Sequence, residues 1–176
     1  MPAMPTSRLV LVGYRACGKT TVGRLLAARL SCPFLDADHE LERTLGMSIA
    51  AFFGVQGEAA FRDRESAALA SLLAQPGPWV LSTGGGVVLR PGNRATLAAC
   101  GTRVVYLHAP ADVLQGRLAA DAGGRPSLTG AGVAVEVPRL LAERDPWYRA
   151  VASTVVDARQ SPAAVVAELL RLVAHA

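Results

Sequence analysis

The chain has 176 residues, of which 51% are hydrophobic and 18% are charged, and its formal net charge is +4. These values are typical of one globular domain with a sizeable core, and they exclude a disordered chain. The apolar runs are of strand length and residues 1–7 lack the features of a secretory signal, so we expect no membrane span and no export. We therefore predict a single domain over residues 1–176, acting as a cytoplasmic monomer with no membrane partner.

The positive charge does not by itself indicate a nucleic-acid partner. The arginines are scattered along the chain, with no run of adjacent basic residues and no interleaved aromatics. Small anionic substrates account for the same excess of charge. Three cysteines without C-x-x-C spacing do not suggest a zinc site or a disulfide framework. We expect small-molecule partners and no nucleic acid.

Apolar runs alternate with helix-like segments along the whole chain. In chain order, the pattern predicts a strand at Leu9–Val12, a helix over "KTTVGRLLAARL", a strand in "CPFLDAD", a helical stretch over about 39–73 broken near Gly46 and 54–57, strands in "PWVLSTGGG" and "TRVVYLHAP", a helix near 111–120, a helix through "VEVPRLLAERDPWYRAV", a strand in "STVVDA" and a last helix over "SPAAVVAELLRLVA". Strands that alternate with helices predict an α/β fold, a three-layer α/β/α sandwich around a mostly parallel five-stranded sheet.

The stretch "GYRACGKT" at residues 13–20 fits the phosphate-loop pattern G-x-x-x-x-G-K-[ST], and a strand precedes it while a helix follows it. In such a loop the backbone N–H groups and the positive helix N-terminus face phosphate oxygens. Lys19 is the only lysine in the chain, and a compact ammonium suits the enclosed position beside the β- and γ-phosphates better than a guanidinium. We predict that a nucleoside triphosphate is bound by Gly13, Ala16, Cys17, Gly18, Lys19, Thr20 and Thr21, with the Thr20 hydroxyl on Mg²⁺.

Five further stretches follow in a fixed order: "FLDAD" at 34–38, "GEAAFRDRE" at 57–65, "STGGGVV" at 82–88, "GGRPSLTG" at 123–130 and "LAERDPWYR" at 141–149. Together with the phosphate loop, they make the chain resemble shikimate kinases, which are P-loop kinases of the nucleoside-monophosphate-kinase type. The resemblance runs from Leu9 to the last helix. It implies transfer of the γ-phosphate of ATP to the 3-hydroxyl of shikimate, in the pathway to chorismate and the aromatic amino acids, with Mg²⁺ as cofactor.

Asp36 and Asp38 are predicted at the carboxyl end of a strand, where open α/β sheets bind ligands. On a strand, alternate side chains point the same way, so both carboxylates would line one cleft. The resemblance implies that Asp36 holds Mg²⁺ and that Asp38 binds the shikimate hydroxyls and orients or deprotonates the attacking one. The alternative reading is a pair of acidic residues that cap the following helix.

The same resemblance assigns the shikimate carboxylate to Arg62 and Arg144, with Glu65 fixing the rotamer of Arg62. Three glycines, Gly84, Gly85 and Gly86, would form a bare loop beneath the substrate, within reach of backbone N–H groups. Phe53 and Phe61 would wall the carbocyclic ring, although core packing is an equally simple reading of two phenylalanines. A helical region over about 38–74 would thus carry much of the substrate site.

The remaining candidates concern the nucleotide. By resemblance Arg125, in a lid loop over about 120–132, closes over ATP and supports the transferred phosphoryl group, as an arginine finger in cis would. Arg117 matches a residue stacked near adenine, and Arg159 is an additional candidate contact. The predicted catalytic residues are therefore Lys19, Asp38 and Arg125.

Three alternatives stay open at this point. A kinase of the same fold could act on gluconate or on a nucleoside monophosphate. A catalytically silent ATP-binding module is disfavoured because Asp38 and Arg125 are both present. A nucleic-acid-dependent ATPase is disfavoured by the scattered arginines.

Overall fold

The computed structural model describes residues 8–121, 129–130 and 132–174. Five strands form one sheet in the order β2-β3-β1-β4-β5, and every pairing is parallel. The strands are β1 (Arg8–Val12), β2 (Phe34–Asp36), β3 (Trp79–Ser82), β4 (Arg103–His108) and β5 (Thr154–Asp157). The helices in the described ranges are α1 (Lys19–Leu30), α2 (Ala37–Leu45), α3 (Ile49–Leu73), α4 (Pro91–Ala99), α5 (Ala111–Ala120), α6 (Val133–Val151) and α7 (Pro162–Ala174).

The core lies around the central strand β1, whose residues 9–12 are all buried. A parallel sheet with helices on both faces buries both faces of its strands, which is why this strand is a continuous apolar run. Helix α1 packs against α7, while α4 and α5 pack against α6. The predicted three-layer α/β/α sandwich is confirmed, and the sheet is parallel throughout.

The structure differs from the sequence prediction in two places: one helix was missed, and the end of one strand was misplaced. Helix α4 was not predicted, because its segment "PGNRATLAA" contains Gly92 and Asn93 and starts after Arg90, which makes no side-chain cap. Strand β2 ends at Asp36 and α2 begins at Ala37, so the expected extension of the strand to Asp38 is wrong. The physical reason is that Asp36 caps the helix with its own carboxylate.

Helices α2 and α3 occupy the region over 38–74 for which a substrate-binding role is predicted. They carry a small apolar cluster of their own, formed by Leu41, Phe52 and Phe61. The predicted break in the second helix lies at Gly57, where φ is 78° and the backbone is non-helical. This break separates the Phe53 segment from the turn that carries Arg62.

Candidate active site

The phosphate loop joins the carboxyl end of β1 to the first turn of α1. Ala16 and Gly18 adopt left-handed backbone conformations, with φ of 65° and 103°. A β-carbon at Gly13 would lie 2.7 Å from the Leu107 carbonyl oxygen, so only glycine fits there. Since α1 starts at Lys19, its unpaired N-terminal N–H groups face the loop. The backbone therefore forms the anion-binding turn that the motif predicts.

Lys19 lies inside this turn and is only 8% exposed. Its Nζ donates to the carbonyl oxygens of Gly13 at 2.8 Å and of Tyr14 at 3.0 Å. A single compact cation thus sits among the loop's own carbonyls, at the position where an enclosed phosphate would be neutralised.

Arg117 contacts backbone carbonyl oxygens of the phosphate loop. Its Nη2 donates to the Ala158 carbonyl oxygen at 2.6 Å, and its Nη1 lies 3.4 Å from the carbonyl oxygens of Ala16 and Cys17. The side chain therefore joins the phosphate loop to the loop after β5, while lining the cavity described below. Arg159 instead pairs with Asp157 at 2.6 Å and does not line that cavity.

Asp36 brings the carboxyl end of β2 to the phosphate loop. Its Oδ2 accepts a hydrogen bond from the Thr20 hydroxyl at 3.0 Å. Its Oδ1 accepts from the backbone N–H groups of Asp38 at 3.1 Å and of His39 at 3.3 Å, and so caps α2. The metal-site and helix-cap readings of Asp36 are thus compatible, since each uses a different oxygen.

Asp38 reaches the cavity from the first turn of α2 and not from a strand, so the argument from strand alternation is wrong for this residue. Asp38 is an exposed residue by its accessible surface, although part of its side chain is desolvated against the cavity that it lines. This partial desolvation, together with the neighbouring Asp36 carboxylate, raises the pKa of Asp38 to about 6, while Lys19 opposes the rise. A carboxylate with such a pKa can accept a proton near neutral pH.

The loop after β3 contacts both the acidic and the basic groups of the cavity. A β-carbon at Gly84 would lie 2.8 Å from Asp38 Oδ1, and a β-carbon at Gly85 would lie 3.1 Å from the backbone nitrogen of Arg15 in the phosphate loop. A β-carbon at Gly86 would overlap the Arg62 guanidinium. A side chain at any of the three glycines would therefore crowd a cavity group or the phosphate-loop backbone and force it to shift.

Arg62 and Arg144 reach the same glycine loop from α3 and α6. Arg62 is held by Glu65, with Nη1 to Oε2 at 2.8 Å, and by Glu58 at 3.2 Å. Arg144 is 7% exposed, and its Nη1 lies 3.4 Å from the Gly85 carbonyl oxygen. The predicted role of Glu65 as the residue that fixes Arg62 agrees with this geometry.

Phe53 and Phe61 form one wall of the cavity. Their ring centroids are 4.4 Å apart, and both residues line the cavity. Phe61 is 4% exposed and belongs to the apolar cluster of α2 and α3, so it serves core packing as well.

One cavity of about 690 Å³ collects these groups, a size usual for small-ligand sites. The predicted site residues that line it are Ala16, Cys17, Gly18, Lys19, Thr20, Thr21, Asp36, Asp38, Phe53, Phe61, Arg62, Gly84, Gly85, Gly86, Arg117 and Arg144. Gly13 belongs to the phosphate loop but does not line the cavity. Arg125 falls outside the described residues. Within the described ranges, no three His, Cys, Asp or Glu side chains cluster as a metal site, so any divalent cation here would need phosphate and water ligands besides protein oxygens.

Sequence reasoning missed a buried ion pair beside this cavity. Arg15, for which no role is predicted from the sequence, contacts the carboxylate of Glu136 on α6. The other oxygen of Glu136 accepts from the Thr129 backbone N–H at 2.8 Å. Glu136 is 0% exposed, and its place in the apolar stretch "VAVEVP" is the sequence signal that could have identified it. Tyr148 was also missed; its hydroxyl donates to the Gly85 carbonyl oxygen.

An all-parallel sheet, a phosphate loop between β1 and α1, and a cavity over the carboxyl ends of the strands define a P-loop kinase. The family model for shikimate kinase matches residues 15–174. The chain is 48% identical to a shikimate kinase of Oleidesulfovibrio alaskensis over 171 residues, which cover 96% of this chain and 98% of the relative. It is also 48% identical to shikimate kinase 2 of Dickeya chrysanthemi over 168 residues, which cover 94% and 95% of the two chains.

Among solved structures, a shikimate kinase from Acinetobacter baumannii in complex with shikimate superposes with a TM-score of 0.89 at 36% identity, covering 98% of this chain and 95% of that one. The chain therefore belongs to the shikimate kinase family. It is an ATP-dependent kinase that transfers a phosphoryl group to an alcohol. No helix in the described part of the chain is both long and apolar enough to cross a membrane.

Proposed function

We propose that this protein transfers the γ-phosphoryl group of ATP to the 3-hydroxyl of shikimate, giving shikimate 3-phosphate and ADP on the route to chorismate and the aromatic amino acids. The observation that carries the proposal is the shared cavity, which has the phosphate loop on one side and Asp38, Arg62 and Arg144 around the glycine loop on the other. The similar Acinetobacter baumannii structure is a complex with shikimate.

On the nucleotide side, the N–H groups of the phosphate loop and the positive end of α1 bind the phosphates. The Nζ of Lys19 neutralises charge that develops on the transferred group. Thr20 and Asp36, whose side-chain oxygens are 3.0 Å apart, are hard oxygen ligands that fit Mg²⁺. When bound, Mg²⁺ supplies further charge neutralisation at the β- and γ-phosphate oxygens.

On the acceptor side, Arg62 and Arg144 bind the shikimate carboxylate, and the planar fork of a guanidinium suits such a group. Holding the carboxylate fixes the ring, so that one hydroxyl lies toward the phosphate loop. Asp38 accepts the proton of that hydroxyl as its oxygen attacks the γ-phosphorus. Phe53 and Phe61 exclude water along one wall of the ring.

Several finer expectations stay predictions. Arg125, outside the described residues, is proposed to support the phosphoryl group; Arg117 and Arg159 are proposed near the adenine. Arg117 would act there while also bracing the phosphate loop, through its contacts to Ala16 and Cys17. We further propose that the protein acts as a cytoplasmic monomer without a nucleic-acid partner.

The test is ADP release with Mg-ATP against a panel of shikimate, quinate, gluconate and nucleoside monophosphates. We expect efficient turnover with shikimate alone, and NMR of the product should place the phosphate on the 3-hydroxyl. Turnover with another acceptor would keep the kinase class and overturn the acceptor. ATP binding without turnover of any acceptor would favour the alternative that the protein is a catalytically silent ATP-binding module.

Replacing Gly86 by alanine is expected to raise the KM for shikimate about tenfold to a hundredfold, the value of a charged hydrogen bond. The new methyl group would displace the Arg62 guanidinium from its place. Because that group is the end of a flexible side chain, the melting temperature should change little. Steady-state kinetics and thermal melting measure the two effects.

Gly92→Ala is the matched control. Gly92 lies in α4, and a β-carbon there would meet no atom within 4 Å. Its shikimate KM should equal that of the wild type. An unchanged KM in Gly86→Ala would show that Arg62 does not position the substrate from this place.

A further inference from the structure

The two arginines proposed to bind the carboxylate have different surroundings. Arg62 is paired with two glutamates, Glu58 and Glu65. Arg144 has no carboxylate within salt-bridge distance among the described residues, and its Nε is buried there without a hydrogen-bond partner. Its Nη1 lies 3.4 Å from the Gly85 carbonyl oxygen, and its guanidinium also interacts with the neighbouring Tyr148 hydroxyl. Arg144 is thus a buried cation whose charge, unlike that of Arg62, is not balanced by a carboxylate among the described residues.

The ring of Tyr14 is a further contact of the Arg144 guanidinium. The guanidinium carbon of Arg144 lies 5.5 Å from the centre of this ring, within the range of a cation–π interaction. Tyr14 is 1% exposed and follows Gly13 directly, so the ring is part of the phosphate loop. Its backbone carbonyl oxygen accepts from Lys19 Nζ at 3.0 Å. One residue therefore contacts the phosphate-binding lysine through its backbone and Arg144 through its side chain.

The contribution of Tyr14 is assigned to its ring and not to its hydroxyl. The Tyr14 hydroxyl is buried and makes no hydrogen bond of normal geometry in the described part of the molecule, although the Arg15 and Arg144 guanidinium groups lie near it. Tyr14 does not line the cavity, so this hydroxyl does not face a ligand there. Arg15, the next residue, contacts Glu136, which partners its charge separately from that of Arg144.

We propose that Tyr14 is a positioning residue for Arg144, so that the nucleotide loop sets the orientation of the guanidinium that binds the acceptor's carboxylate. This inference rests on the proposed function. It makes the aromatic face at position 14 a determinant of acceptor affinity, in a loop whose other groups serve ATP. Removing that face should weaken carboxylate binding and spare the phosphates.

The first experiment is Tyr14→Leu, measured for the KM of both substrates. We expect the shikimate KM to rise about threefold to thirtyfold, the span of a cation–π interaction, and the ATP KM to change much less. Tyr14→Phe keeps the ring and should restore most of the shikimate affinity. In an Arg144→Met background, Tyr14→Leu should have little further effect on the shikimate KM.

A second series keeps the shape of the side chain. Phenylalanines with increasing fluorination, introduced at position 14, weaken the negative face of the ring step by step. The shikimate KM should rise with each step. This series decides the question even if Tyr14→Leu fails to fold. Phe34→Leu is the control, because the Phe34 ring lies 5.8 Å from Arg24 and neither residue lines the cavity.

The outcomes separate this inference from the proposed function. If the wild type does not phosphorylate shikimate, both fail. If the wild type is active, a flat fluorination series overturns the inference alone. An equal rise in the ATP KM, or an undiminished effect in the Arg144→Met background, also overturns it, because either would show a general disturbance of the phosphate loop.

Discussion

Replacing Asp38 by asparagine is expected to lower kcat about 10²-fold to 10⁴-fold, the usual contribution of a positioned general base. The amide keeps the size of the side chain and loses the ability to accept the hydroxyl proton. ATP binding should persist, because its phosphates are held by the phosphate loop and by Lys19. Single-turnover kinetics, with ATP affinity measured by calorimetry, test both parts. Near-normal turnover would remove Asp38 from the chemistry. The control is Asp112→Asn, an exposed position in the first turn of α5.

The pH dependence gives an independent test of the same residue. Because the pKa of Asp38 is raised to about 6, kcat/KM of the wild type should fall as the pH drops below about 6. For stability the sign is opposite: the folded state binds the Asp38 proton more tightly than the unfolded state does, so stability falls as the pH rises from about 4 to about 6 and then levels off. Asp38→Asn should therefore melt higher than the wild type near pH 8 and similarly near pH 4, about the unperturbed aspartate pKa. A constant difference at both pH values would contradict the assignment.

Replacing Lys19 by arginine is expected to abolish most turnover, with a loss of about 10²-fold or more, although the positive charge is retained. The Lys19 Nζ lies within 2.8 Å and 3.0 Å of two loop carbonyls, and the broader guanidinium cannot occupy that turn in the same way. Steady-state kinetics on the purified variant measure the loss. Activity close to that of the wild type would show that charge alone suffices at this position.

The single lysine of the chain allows a chemical labelling experiment on the same residue. Since Lys19 is the only lysine, an amine-reactive ATP analogue should label one side chain, identified by peptide mass spectrometry. Excess ATP should protect it, and shikimate alone should not. Labelling that ATP does not reduce would place the nucleotide elsewhere.

The sequence allowed most of the fold to be predicted, because its strands are short apolar runs and its loops carry distinct glycine, proline and acidic signals. Helix α4 escaped prediction because its start has no side-chain cap. The end of β2 was misplaced because the sequence alone does not distinguish an aspartate at the end of a strand from an aspartate that caps a helix. The structure decides between them through the hydrogen bonds of Asp36 to Asp38 and His39.

For the site, most predicted residues lie on one cavity, because the phosphate loop and the carboxyl ends of parallel strands meet at one edge of the sheet. Apart from the Glu65–Arg62 pair, which the family resemblance implied, the contacts by which these residues support one another could not be predicted. Arg117 bracing the phosphate loop, Glu136 holding Arg15, and Tyr14 beneath Arg144 each join residues far apart in the chain. Arg159, the additional candidate for the nucleotide, pairs with Asp157 in the structure.

By itself, the sequence determined the chemistry available to this protein. A glycine loop with one lysine predicts phosphate binding, since this property belongs to side chains and local backbone, and the resemblance of the further motifs to shikimate kinases implies the acceptor. Only the tertiary structure decided that Arg144 lacks a glutamate partner within the described residues, which carboxylate has a raised pKa, and which groups a side chain at residues 84–86 would meet. The physical reason is that compensation, desolvation and close approach depend on distances of a few ångströms between segments that the chain order leaves far apart.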